Sequence, residues 1–111
     1  MTTGVFELIE LDKPKSPFLI QASDHVRMRR FQIAEPLLVG ALRSSRVQSQ
    51  TESRFDAHCY VLLATVQEAR GVGRHVEPLY HGALRIYDRE FGSEHPAVRE
   101  LAFYLYQHFY F

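Results

Sequence analysis

Val76-Glu77-Pro78-Leu79-Tyr80, running on into Gly82-Ala83-Leu84-Arg85, is the second appearance of one pattern. The first is Ala34-Glu35-Pro36-Leu37-Leu38, and it too continues in register, as Gly40-Ala41-Leu42-Arg43. The prolines lie 78 − 36 = 42 residues apart, and the two Gly-Ala-Leu-Arg runs share that offset. Chance can produce a matching pentapeptide, but rarely its extension as well. A period of this size points to a supersecondary unit that buries its apolar face by stacking on its neighbours.

Inside the second copy Val76, Leu79, Tyr80, Ala83, Leu84 and Tyr87 step by three and four, which marks one face of a helix. Pro36 and Pro78 fall within the first two turns, where a missing N–H costs least. The Gly-Ala pair in each copy is expected to admit a close helix neighbour. Gly92 reads as a C-cap, Ser93 as the next N-cap, and Pro96 as first-turn proline. Between the copies, Tyr60, Leu63, Ala64 and Gln67 give the stripe of another helix. Ser16-Pro17 opens an earlier one, with Phe18, Gln21, Ala22 and His25 as its weaker stripe. The spacing predicts helices near 17–27, 31–46, 54–70, 74–91 and 96–110, with one continuous helix over 24–46 as the alternative. Residues 1–15 fall outside this pattern. Their Val5-Phe6-Glu7-Leu8-Ile9-Glu10-Leu11 suits an extended segment or a single helical turn, so they are set apart as an N-terminal arm before a helical domain at 16–111.

These motifs resemble the 42-residue tetratricopeptide repeats of the kinesin-light-chain class. That class carries Ala-Glu-Pro-Leu-Tyr, then an Ala-Leu pair, then Gly-Pro-Asp-His-Pro-x-Val before the next helix. Here the corresponding residues are Val76–Tyr80, Ala83-Leu84 and Gly92-Ser93-Glu94-His95-Pro96-Ala97-Val98. The first copy departs from the pattern, with Gln50-Thr51-Glu52-Ser53-Arg54 at the His-Pro turn. The resemblance implies an all-α fold: a right-handed superhelical stack of antiparallel helix hairpins, two to two-and-a-half repeats long. It implies a concave groove for a peptide or helix, lined by His58, Val61, Thr65 and Glu68 and then by Glu100, Phe103, Gln107 and Tyr110. Val61-Leu62 and Phe103-Tyr104 replace the asparagine pair with which the family often clamps a peptide backbone, so the groove is expected to be unusually apolar.

The last helix is apolar and aromatic on every side from Phe103 to Phe111. A terminal repeat needs a polar outer face, so a second copy is expected to cover this one, with Tyr104, Phe109 and Phe111 carrying the self-association; further repeats of a longer array, or the arm at 1–15 folded back over the helix, are the alternatives. The function expected is that of a scaffold or adaptor, a protein-interaction module and homo-oligomer.

Composition agrees with a folded, ordinary globular chain: 46% hydrophobic and 23% charged residues. Thirteen basic residues balance thirteen acidic ones, leaving no global field for nucleic acid or an anionic membrane. The basic cluster Arg27-Met28-Arg29-Arg30, with Arg43, Arg46 and Arg54, carries the alternative reading of a nucleic-acid-binding helical protein. The single Cys59 excludes an internal disulfide and any multi-cysteine zinc site. With no signal-like N-terminus and no apolar run long enough for a bilayer, a cytoplasmic protein is expected.

Catalytic chemistry finds little footing. His75 and His81 are six apart rather than one helical turn, and His58 and Cys59 are adjacent and point apart. Gly71-Val72-Gly73 lacks the strand and lysine of a phosphate loop. Neither an enzyme, a metal nor a cofactor is expected.

Overall fold

The computed structural model describes residues 17–49 and 51–109. They form five α-helices: α1 Pro17–Arg27, α2 Phe31–Gln48, α3 Arg54–Ala69, α4 Val76–Phe91 and α5 Pro96–Phe109. A short 3-10 turn, Gly73–His75, precedes α4, and no strand occurs among the described residues. The chain is all-α, and the helix limits expected from the spacing agree with these to within two or three residues. Residues 1–15, the N-terminal arm of the sequence reading, lie outside the described residues.

A continuous helix over 24–46 does not form, and the backbone shows why. Arg29 takes the left-handed conformation, with φ 60°. Around it the Arg30 N–H reaches back to the His25 carbonyl at 2.8 Å, and the Arg29 N–H to the Val26 carbonyl at 3.0 Å. This is a Schellman ending, which satisfies the last carbonyls of α1 and reverses the chain. Forty-two residues on, α3 ends in the same way. Gly71 has φ 78°, the Val72 N–H reaches the Gln67 carbonyl at 2.9 Å, and the Gly71 N–H the Glu68 carbonyl at 3.2 Å. The period therefore governs the turns as well as the helices. Beyond them the copies diverge: Phe31–Ile33 open α2 as α-helix, whereas Gly73–His75 form the tighter turn. Glycine is about 1 kcal/mol less favourable than alanine inside an α-helix.

Two apolar clusters share α3 between them. The first joins Leu19, Ala22 and Val26 of α1 with Ala34 and Leu38 of α2 and with Cys59, Leu62, Leu63 and Val66 of α3. The second joins Ala57, Val61 and Ala64 of α3 with α4 residues including Val76, Tyr80 and Ala83, and with Val98, Leu101 and Leu105 of α5. The repeat register reappears in this packing. Leu19 and Val61 are mates at the 42-residue offset, as are Ala22 and Ala64, Ala34 and Val76, and Leu38 and Tyr80. All eight are buried. Fully burying a large apolar side chain is worth about 1.5–3 kcal/mol, so these shared faces supply most of what holds the helices together.

Polar contacts fix the loops onto this core. Asp56 takes the Ser53 N–H at 2.8 Å across the first turn of α3, which satisfies one of the N–H groups left free at a helix start. In the segment before α3, the Glu52 carboxylate accepts from the Tyr60 hydroxyl at 2.6 Å, from Arg46 of α2, and from Arg85 of α4 at 2.7 Å. Foremost the Tyr60 hydrogen bond, and with it the two guanidinium groups, hold Glu52 below the usual carboxylate range. Glu35 of α2 accepts from Gln67 at 2.9 Å and from Arg70, tying α2 to the end of α3. The expected close approach at the Gly-Ala pairs holds in one copy only. A Cβ on Gly82 would lie 3.4 Å from the Tyr60 ring, whereas one on Gly40 would meet nothing within 4 Å.

Candidate functional site

The surface that stands out is the outer face of α5. Two large side chains there, Phe103 and Tyr106, are 56% and 60% exposed. Forty-two residues earlier stand Val61 and Ala64, which α4 and α5 bury, and forty-two before those stand Leu19 and Ala22, which α2 and α3 bury. Phe103 and Tyr106 thus occupy the positions that the next helices cover in both preceding cases. The helix itself forms because Leu101, Leu105, Ala97 and Val98 anchor its opposite face on α3 and α4.

Behind that face lies a small polar core. The Glu68 carboxylate of α3 accepts the Tyr104 hydroxyl at 2.6 Å and the Tyr80 hydroxyl at 3.1 Å. The two rings meet edge to face, 5.3 Å between centroids, a favoured geometry for aromatic pairs. Burial above all, and for Tyr104 next the hydrogen bond to Glu68, pushes both hydroxyl groups well above the ordinary tyrosine range. They remain donors at any physiological pH. His108 stacks on Tyr104 at 4.0 Å, and its Nδ1 lies 3.0 Å from the Tyr104 carbonyl. Glu68 thereby joins α3, α4 and α5 at one point.

The residues expected to line a groove separate into three groups. His58 and Val61 are 3% and 1% exposed and lie within the packed interior. The reason is that α3 is packed on both sides rather than presenting an open inner face. Thr65, half-buried, spends its hydroxyl on the Val61 carbonyl at 2.9 Å, and Glu68 is committed to the two tyrosines. Glu100 is half-buried, while Phe103 and Gln107 are exposed and lie four residues apart on α5. Tyr110 lies outside the described residues. Of the residues expected to carry self-association, Tyr104 and Phe109 are partly buried against the second cluster and Phe111 lies outside the described residues. Tyr106 was missed at the sequence level. Its signal is positional: it follows Ala64 by 42.

The other chemistry-bearing groups are absorbed by the fold. Burial pushes the Cys59 thiol up to about 12, so it is not a thiolate nucleophile at neutral pH. Burial drives His58 down to about 4. Arg27 pairs with Asp24, Arg29 lies over the Phe31 ring and Arg54 over the Phe91 ring. The arginines of the nucleic-acid alternative are thus spent on local partners in part. No group of three or more His, Cys, Asp or Glu side chains among the described residues is placed to hold a metal ion. No described helix is long and apolar enough to cross a membrane. No family model matches the chain, and neither a curated protein nor a solved structure matches it.

Proposed function

We propose that the chain is a tetratricopeptide-like interaction module that binds protein and self-associates through α5. The observation that carries this reading is the exposure of Phe103 and Tyr106 at positions whose mates, Val61 with Ala64 and Leu19 with Ala22, are all covered by the following helices. A helix face of that register is complete only when another helix lies across it. Exposed contiguous aromatic surface of this kind marks an interaction site on a soluble chain, and aromatic side chains dominate interface energetics. A second copy supplies a face of identical chemistry, so two α5 helices pack about a two-fold axis with the Phe103–Tyr106 surfaces together. Glu100 and Gln107 form the polar rim beside them, where a peptide segment of a further partner would find its hydrogen bonds.

Cross-linking tests the pairing. Cys59 is buried, so a cysteine introduced at the surface reports alone. Under mild oxidation, Tyr106→Cys is expected to form a disulfide-linked dimer at least ten times faster than Val47→Cys, which is exposed elsewhere. Equal rates would overturn the two-fold α5 interface.

A further inference from the structure

A second surface lies on α2, where apolar side chains and two arginines stand together. Val39, Leu42, Arg43, Arg46, Val47 and Tyr60 line an open groove of about 430 Å³, room enough for one or two side chains. Its lining is almost wholly apolar, and two arginines are among the residues that form it. Val47 is 88% exposed, a large uncovered hydrophobe on a helix whose other face is buried. At its wall the Tyr60 hydroxyl lies between Arg46 and Glu52 at 2.6 Å from each.

The repeat register indicates what the groove lacks. Arg85 is the mate of Arg43, and its guanidinium is held by the Glu52 carboxylate at 2.7 Å. Arg43 has no carboxylate partner among the described residues. Among the described residues, one copy of the motif therefore has its anion and the other does not. An arginine beside an open apolar groove favours a carboxylate that arrives attached to something apolar, since the charge gives orientation and the buried surface gives affinity.

We propose that this groove docks an acidic, apolar peptide segment of a partner protein, its carboxylate on Arg43 and its apolar side chain against Val39, Leu42 and Val47. The proposal rests on the reading of the chain as an interaction module but uses a surface separate from α5.

The test is fluorescence anisotropy on the full chain with a labelled hexapeptide in which Glu alternates with Leu and Phe. Saturable binding is expected, weakened at least tenfold by Arg43→Glu and by Val47→Glu, and likewise weakened when every Glu of the probe is replaced by Gln. The Phe103→Ala/Tyr106→Ala variant should bind the probe as the parent does, so failure of the α5 interface and failure of this groove are told apart. Absence of binding at about 1 mM, equal binding of the Gln probe, or indifference to both α2 substitutions would overturn the proposal. So would a gain in probe affinity of tenfold or more on Glu10→Lys. Glu10 precedes Glu52 by 42, and such a gain would name the chain's own carboxylate as the occupant.

Discussion

Gly40 and Gly82 are the same residue in the same motif, yet their surroundings differ and so should their tolerance. Nothing lies within 4 Å of a Cβ built on Gly40, which sits in the interior of α2. Gly40→Ala is therefore expected to stabilise the protein by about 0.5–1 kcal/mol through helix propensity alone, read as a higher midpoint in urea. At Gly82 a methyl group would just touch the Tyr60 ring, and a branched side chain would displace it, so Gly82→Val should destabilise. His58 gives a second residue-level expectation, in pH. Its folded value of about 4 lies below the ordinary 6.5, because burial penalises the charged ring. The unfolded chain then binds a proton that the folded one refuses, so stability is full above about pH 6.5 and falls as the pH drops toward 4. The loss attributable to this ring is on the order of 3 kcal/mol. Urea titrations across that window should show a flatter pH profile for His58→Gln than for the parent; identical slopes would contradict the assignment.

At the scale of the helix, the period was legible and its consequences only partly so. The five helices follow from the Glu-Pro-Leu and Gly-Ala-Leu-Arg repeats, because apolar spacing and proline position are local properties. The break between α1 and α2 was ambiguous because Arg29 does the work that Gly71 does 42 residues later; a left-handed arginine leaves no signature in composition. The burial of His58 and Val61 was out of reach for a different reason. Whether a helix is covered on one side or two is a tertiary fact, and α3 proves to be the helix shared by both clusters. The Glu68 junction was likewise out of reach, since Tyr80 and Tyr104 lie 12 and 36 residues from it in sequence. It carries its own expectation. Tyr104→Phe removes one hydrogen bond to a partly buried carboxylate and should cost about 1–2 kcal/mol, while Tyr106→Phe, on the exposed face, should leave the unfolding midpoint unchanged.

For the molecule as a whole, the repeat accounts for both the order and the asymmetry. Helices α1 and α3 are each covered on the face that carries Leu19 and Ala22, or Val61 and Ala64. Helix α5 carries larger residues at the same register, Phe103 and Tyr106, and leaves them exposed. The proposed self-association rests on that contrast, and it is most directly examined by sedimentation equilibrium over a wide concentration range. The parent chain is expected to pass from its monomer mass of 12.9 kDa to twice that value. The Phe103→Ala/Tyr106→Ala variant should stay monomeric at least a tenfold higher concentration, with unchanged helicity by circular dichroism. A parent chain that remains monomeric at millimolar concentration, or a double variant that dimerises as readily, would contradict it.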